Sequence, residues 1–177
     1  SGIHGGGTTV DESSGDLLVF VEEQHPPAPL TLYRSRDQGK TWVPERPFIR
    51  PDSNGNLPSM HMNEHGITLR HGVHRGRLLR ATRYYAGGNR REEWPNHYTN
   101  ALFSDDGGKT WQTSEPFPES GTGEAAVADG TALPLLGPAG AYLTTTLGGG
   151  GAAAMLLATL LCWATLPTVG AMVTFMK

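Results

Sequence analysis

The sequence predicts an all-β fold built from small repeated sheets, and three observations lead to that prediction. Short runs of leucine, aromatic and β-branched residues alternate with turn-forming residues through residues 1–129. No stretch of that region keeps an apolar period of about 3.6 residues over a helix-length window. A motif of eight residues occurs at Ser35–Trp42 and again at Ser104–Trp111, 69 residues downstream. A repeat of that length spans several strands, so we expect repeated antiparallel modules of the kind that form the blades of a β-propeller.

Five runs in the charged region are predicted as strands because each is rich in residues that fit a pleated sheet and is bounded by turn residues. They are Leu17–Val21, Leu30–Tyr33, Gly66–Leu69, Leu78–Tyr85 and Tyr98–Phe103. A glycine followed by a charged residue and two leucines begins at Gly15 and again at Gly76, upstream of each motif. The unit that repeats is therefore a module of several strands rather than a single motif.

Each position of the motif Ser-x-Asp-x-Gly-x-Thr-Trp has a use in a turn. The aspartate accepts backbone N–H groups, the glycine takes a left-handed conformation, the threonine favours the returning strand and the tryptophan buries its ring. Because the two copies are alike, whereas a catalytic acid and base need different environments, we interpret the motif as a structural hairpin corner. Its residues are Ser35, Asp37, Gly39, Thr41 and Trp42 in the first copy, and Ser104, Asp106, Gly108, Thr110 and Trp111 in the second.

Charge divides the chain into two regions. All 17 acidic residues and 13 of the 14 basic residues lie within 1–129, so the remaining 48 residues carry only Lys177. We divide the chain into a module at 1–129, a Gly/Pro/Thr-rich linker at 130–151 and an apolar segment at 152–176. As a helix of about 37 Å, the last segment could cross a bilayer, which would make the protein extracellular or membrane-associated. The alternative is a tail foreign to the module, such as the product of a shifted reading frame.

Composition argues against several classes of function. The basic residues are interspersed with acidic ones, and the net charge is −3, so nucleic acid is not an expected partner. The single cysteine, Cys162, offers neither an internal disulfide nor a cysteine-based metal site. The opening "SGIHGGG" lacks the basic and apolar regions of a signal peptide. We expect neither a cofactor nor a bound metal, and the sequence indicates no oligomeric state.

The motif and its surroundings resemble a known family. The segments "EHGITLRHGVHRGRLLRATRYY" and "NALFSDDGGKTWQTSEPFPESGTGEAAVAD" are similar to the central part of sialidases, and the repeated motif resembles their Asp-box, or bacterial neuraminidase repeat. The resemblance runs from about Gly15 to Asp129. It implies two to three blades of a six-bladed β-propeller, with the boxes on the rim away from the active site. It also implies the removal of terminal sialic acid from sialylated glycans.

The resemblance implies one catalytic residue and leaves others missing. Sialidases use a tyrosine nucleophile, a glutamate that activates it, an aspartic acid and three arginines that hold the substrate carboxylate. Glu124, in "GTGEAAV", matches the glutamate, with a solvated loop residue as the alternative interpretation. No arginine follows Arg91, and Tyr142 comes too early to be the nucleophile. We therefore expect an incomplete and weakly active or inactive module, and a non-catalytic Asp-box scaffold remains an alternative.

The acid of the family would lie in the loop before the first motif, where the chain has no aspartate. Glu22, Glu23 and His25 are the candidates there, and ordinary solvated loop residues are the alternative interpretation for all three. A further histidine-rich stretch, His61–His65, matches the inverted zinc-peptidase pattern His-x-x-Glu-His. That pattern requires a helix, which the flanking Pro58 and Gly66 disfavour. Lining of a sugar site by His61, Glu64 and His65 is the other functional interpretation, and ordinary loop residues are the third alternative.

Overall fold

The computed structural model describes residues 4–24, 28–59, 65–122, 124–129, 158–161 and 172–176. These residues form three sheets, in which every pair of neighbouring strands is antiparallel except one. Among them there is no α-helix, and the helical turns are two short 3-10 segments, Ala86–Asn89 and Arg91–Asn96. The predicted all-β class is confirmed.

Sheet I contains the first motif, which we call box 1 (Ser35–Trp42). Its four strands neighbour one another in chain order, and box 1 joins the third strand to the fourth. The strands are β1 (His4–Asp11), β2 (Asp16–Glu22), β3 (Leu30–Ser35) and β4 (Val43–Glu45).

Sheet II repeats this arrangement around the second motif, box 2 (Ser104–Trp111). Its meander runs β6 (Ile67–Thr68), β7 (Leu78–Tyr84), β8 (Tyr98–Ser104) and β9 (Thr110–Thr113), and box 2 joins the last two. A fifth strand, β5 (Phe48–Arg50), follows sheet I in the chain and pairs in parallel with β9. Both boxes therefore occupy the same position in a four-stranded meander.

Sheet III contains three described strands in the order β10-β12-β11. They are β10 (Glu124–Ala128), β11 (Ala158–Leu161) and β12 (Met172–Met176). Two of these strands fall inside the segment 152–176, which the sequence predicts as a helix, and the rest of that segment lies outside the described residues. Within the described part of the chain, no helix combines the length and the apolar character needed to cross a membrane.

Strand β1 was not predicted from the sequence, because it opens with the glycine run Gly5–Gly7. The side chain of Arg80, on β7 of sheet II, explains this composition. Its Nη1 donates a hydrogen bond to the carbonyl oxygen of Gly7 at 3.1 Å, and a Cβ added to Gly6 would lie 2.5 Å from Nη2. The absence of a side chain on Gly6 thus leaves room for the Arg80 guanidinium group between β1 and sheet II.

The core lies between the sheets. Leu18, Phe20 and Leu32 of sheet I pack with Leu78, Leu102 and Trp111 of sheet II, and the rings of Phe20 and Trp111 meet edge to face at 5.1 Å. A second cluster, Leu69, Leu79 and Ala101, packs against Val127 of β10 and joins sheet II to sheet III. Because neither face of such a small sheet can be buried within the sheet itself, this packing between sheets supplies most of the buried apolar surface.

Each box is a hydrogen-bonded turn, as its residue types predict. In box 1 the Ser35 hydroxyl donates to Asp37 Oδ1 at 2.8 Å and accepts the Gly39 N–H at 2.8 Å. The Asp37 carboxylate accepts both the N–H and the hydroxyl of Thr41, at 2.8 and 2.6 Å. Box 2 repeats these contacts through Ser104, Asp106, Gly108 and Thr110.

The two box tryptophans differ in burial although the boxes are alike. Trp111 is 0% exposed because it lies between sheets I and II, whereas Trp42 is 39% exposed. Each indole N–H donates to the carbonyl oxygen of its own box glycine, Gly108 or Gly39, at 3.1 Å. The predicted burial of the ring is therefore correct for box 2 and wrong for box 1, and the difference comes from the neighbouring sheet rather than from the motif.

Candidate functional site

The candidate site lies at the end of the sheets opposite the boxes. Successive turns of an antiparallel meander alternate between the two ends of its strands, so the β2–β3 and β7–β8 connections lie away from both boxes. The first residue of β10 lies at the same end, as the contacts of Gly121 and Thr122 described below indicate. We call this end the loop face, formed by residues 22–24, 28–30, 51–59, 84–98 and 114–122.

Glu22 is a buried strand residue, so its interpretation as a solvated loop residue is wrong. It is the last residue of β2, is 1% exposed, and its Oε2 accepts a hydrogen bond from the Ser59 hydroxyl at 2.8 Å. The Ser59 N–H in turn donates to the carbonyl oxygen of Arg83 at 2.7 Å. Glu22 thus links sheet I to sheet II on the loop face.

Glu23, the other predicted acid candidate, is exposed. It accepts a hydrogen bond from the Thr31 hydroxyl at 2.9 Å and lies 3.9 Å from the guanidinium group of Arg46. A solvated position of this kind agrees with its interpretation as an ordinary loop residue. His25 lies outside the described residues.

A second buried contact joins the two ends of the β7–β8 connection. Arg83 Nη2 lies 2.9 Å from His97 Nδ1, and His97 Nε2 lies 3.3 Å from the carbonyl oxygen of Ala86. Since arginine can only donate, Nδ1 is the acceptor, and we assign the proton of the neutral ring to Nε2. Burial lowers the pKa of His97, and the positive charge of Arg83 lowers it further.

Tyr98 anchors the 51–66 connection. Its hydroxyl donates to Asp52 Oδ2 at 2.6 Å and accepts from Asn56 Nδ2 at 2.8 Å. The other oxygen of Asp52 accepts the N–H groups of Asn54 and Asn56 at 3.0 and 2.9 Å. Burial, with a further contribution from the hydrogen bond to Asp52, raises the pKa of Tyr98 to about 12. The Asp52 carboxylate and the Asn56 side-chain amide hold the Tyr98 hydroxyl between them, so the geometry gives Tyr98 a positioning role.

Glu124 begins β10, where its backbone pairs with Met176. The segment that leads into it is fixed to the β7–β8 connection, because the Gly121 N–H donates to the carbonyl oxygen of His97 at 2.7 Å. The hydroxyl groups of Thr99 and Thr122 form a further buried hydrogen bond of 2.9 Å. The predicted base therefore starts a strand on the loop face, next to the buried contact of Arg83 and His97.

The histidine-rich stretch is only partly described. His61 and Glu64 lie outside the described residues, and His65 is exposed, belongs to no helix and precedes β6 by two residues. Among the side chains that the structure describes, no three histidine, cysteine or carboxylate groups are close enough together to hold a metal ion. The zinc interpretation of this stretch and its sugar-lining interpretation both stay predictions.

Sequence reasoning missed the polar residues that connect the loop face. They are Asp52, Ser59, Arg83, His97 and Tyr98. A signal existed, because "RYY" ends β7 and "HYTN" starts β8, and these ends face each other with Tyr84 opposite Tyr98. Two polar strand ends joined by a long connection indicate a functional or buried polar cluster rather than a tight hairpin.

The opposite end, which carries the boxes, has a cavity of about 530 Å³. Its central side chain, Arg34, is 4% exposed and donates to Asp16, Glu45 and the carbonyl oxygen of Gly107, each at 3.0 Å. These contacts satisfy the guanidinium group and connect sheet I to box 2. We therefore interpret the cavity as a structural junction rather than a candidate active site.

The comparisons with known proteins identify the motif. The family model for the BNR/Asp-box repeat matches residues 33–44 and 102–113. Both motifs are BNR/Asp-box repeats. A solved structure titled "Hadza microbial sialidase Hz136" is similar in fold, with a TM-score of 0.50 and 23% sequence identity over 71% of this chain.

The matched region is 26% of the length of that sialidase, so the similarity covers only part of the larger protein. No curated protein matches this chain. Taken together, the comparisons show two Asp-box repeats in a chain whose fold is similar to part of a sialidase structure.

Proposed function

We propose that this chain is part of a glycoside hydrolase that removes terminal sialic acid. In this proposal Glu124 is the base that activates a tyrosine nucleophile. The observation that carries the proposal is the position of Glu124 at the start of β10 on the loop face, opposite both Asp-boxes. The segment before it is held by the hydrogen bond between Gly121 and His97. A base must be fixed in this way to meet its proton at a constant distance.

In the proposed reaction, the phenolic oxygen of a tyrosine attacks the anomeric carbon of sialic acid. The phenol gives its proton to the Glu124 carboxylate, and the departing sugar oxygen takes a proton from a separate acid. The Tyr98 hydroxyl donates its proton to Asp52, so Tyr98 is not the phenol that we assign to Glu124. Glu22 and Glu23 remain the candidate acids; the Glu22 carboxylate is buried and held by Ser59, whereas the Glu23 carboxylate is exposed and held by Thr31.

We expect the 177-residue chain to bind a sialoside and to hydrolyse it slowly or not at all. Recognition of the sialic acid carboxylate favours arginine, and no arginine follows Arg91 in the sequence. This same fact favours the second candidate function, a non-catalytic Asp-box module that serves as a binding or scaffold surface. Insertion of residues 152–176 into a membrane remains a separate prediction.

The test combines binding and turnover on the full chain. Calorimetry with the α-methyl glycoside of sialic acid measures binding, and a fluorogenic sialoside measures hydrolysis. Binding with slow hydrolysis that Glu124→Gln abolishes would support the proposal, whereas hydrolysis at the same rate in Glu124→Gln would show that Glu124 is not the base. Binding without hydrolysis favours the non-catalytic module. Absence of both contradicts the proposal and favours a scaffold.

A further inference from the structure

An exposed tryptophan stands on the loop face. Trp94 lies in the 3-10 segment Arg91–Asn96 of the β7–β8 connection and is 50% exposed. Tryptophan is enriched at interfaces because its indole combines a large apolar ring with a polar N–H edge. The feature is therefore worth testing as a binding element.

The connection that carries Trp94 is cross-linked around Glu93. The two carboxylate oxygens of Glu93 accept from Arg90 Nη2 at 3.3 Å and from Asn96 Nδ2 at 2.8 Å. Gly87 has a left-handed conformation, and a Cβ at that position would overlap the Glu93 side chain. Such contacts hold the turn in one conformation before any ligand arrives.

Trp94 itself is fixed at two points. Its indole N–H donates to the carbonyl oxygen of Asn89 at 3.4 Å, and its carbonyl oxygen accepts the His97 N–H at 3.1 Å. A ring held by its polar edge while its apolar face remains in solvent loses little conformational freedom when it binds a ligand. The geometry is that of a preformed flat surface.

The position of this surface relates it to Glu124. Pro95, the next residue, packs against the backbone of Gly121, where an added Cβ would lie 3.8 Å from the Pro95 Cα. Gly121 is three residues before Glu124 and is bonded to His97. Trp94 therefore lies beside the segment that precedes the candidate base Glu124 in the chain.

We propose that Trp94 is a stacking site for the neutral pyranose ring joined to the terminal sialic acid, an inference that rests on the proposed function. The face of a pyranose that carries C–H groups is apolar and matches an indole ring in size. Sialic acid carries a carboxylate, which charged donors recognise better than a ring face does. The second sugar is the part of the substrate that suits Trp94.

Calorimetry with two ligands tests this site. The ligands are the α-methyl glycoside of sialic acid, which lacks the second sugar, and sialic acid linked to lactose, which has it. We expect the wild-type chain to bind the trisaccharide more tightly than the methyl glycoside. Trp94→Ala should weaken trisaccharide binding about tenfold, the loss typical of a tryptophan at the centre of an interface, and change methyl glycoside binding by less than about twofold. Trp94→Phe should retain most of the trisaccharide affinity.

Trp42→Ala is the matched control, because Trp42 is similarly exposed but belongs to box 1 at the other end of sheet I. It should leave both affinities unchanged. Equal affinity of the wild type for the two ligands, or an unchanged trisaccharide affinity in Trp94→Ala, would overturn the Trp94 site and leave the proposed function standing. Failure of the wild type to bind either ligand would overturn both. A trisaccharide-dependent change in tryptophan fluorescence that persists in Trp94→Phe would also count against the site.

Discussion

Arg83 donates a hydrogen bond of 2.9 Å to Nδ1 of the buried His97, and this contact fixes the β7–β8 connection of the loop face. It exists only while the imidazole ring is neutral, because a protonated Nδ1 would direct its N–H at a guanidinium group. Glu93 and the carbonyl oxygen of Ala86 oppose this effect and are weaker than burial and Arg83 together, since the pKa of His97 is lowered on balance.

We predict that the folded state loses stability as the pH falls below the ordinary histidine pKa of 6.5. The unfolded chain takes up the His97 proton there, whereas the folded chain does so only at its lower pKa, so protonation favours unfolding across that window. Urea unfolding measured at about pH 7.5 and about pH 5.5 checks this. His97→Asn should show a smaller decrease between the two pH values, and an equal decrease would exclude His97 as the cause.

Trp111→Ala should lower the free energy of unfolding by about 3–5 kcal/mol, because the ring is fully buried against Phe20 between the sheets. Trp42→Ala, the same change at the equivalent box position, should cost less than about 2 kcal/mol because that ring is partly exposed. Urea denaturation of the two variants gives the comparison. Equal losses would mean that the motif itself, rather than the packing between sheets, determines the contribution of the tryptophan.

Gln38→Gly should stabilise box 1 by about 0.5–1 kcal/mol. Gln38 has a left-handed backbone with φ of 63°, and box 2 has Gly107 at the same position with φ of 70°. The reciprocal change, Gly107→Gln, should destabilise, because a Cβ there would also lie 3.3 Å from Asp11 Oδ2. Thermal melts of both variants measure the effect, and a melting temperature of Gln38→Gly at or below that of the wild type would contradict the prediction.

The Asp37 carboxyl should titrate with a pKa of about 2, chiefly because it accepts the hydroxyl hydrogen of Thr41, with further hydrogen bonds from the Thr41 N–H and Ser35. Its stabilising contribution is present above pH 3.8, the ordinary value, and is lost as the pH falls from there through about 2. Carboxyl NMR chemical shifts followed against pH give the value directly. Thr41→Val should move the pKa towards 3.8, and no shift in that variant would assign the effect to another donor.

The sequence was sufficient for features that depend on neighbouring residues in the chain. The five predicted strands and the turn chemistry of the boxes follow from local patterns, and β2, β3, β7 and β8 start and end within two residues of their predicted limits. The features that could not be predicted from the sequence depend on contacts between sheets. The glycine run of β1 has no strand signal because its reason is the side chain of Arg80, 73 residues away from Gly7.

The candidate site shows the same division. Glu124 could be chosen as a candidate base because a family motif surrounds it in the sequence. The burial of Glu22 could not be predicted, because its partner Ser59 lies 37 residues away in the chain. His97 and Arg83 likewise meet only because β7 and β8 pair in register, with Arg83 opposite Thr99. Contacts of this kind can be predicted from the sequence only if the two strands and the connection between their polar ends are considered together.

The junction around Arg34 has a consequence for how the chain unfolds. This buried side chain of sheet I spans to the backbone of box 2, so the corner of one module completes the hydrogen bonding of the module before it. Neighbouring modules then stabilise each other, as in repeat proteins, and sheet I cut from the chain would leave the Nη2 group of the buried Arg34 without its acceptor in box 2. Sheets I and II should therefore unfold in one cooperative transition, and neither sheet should fold when it is expressed alone.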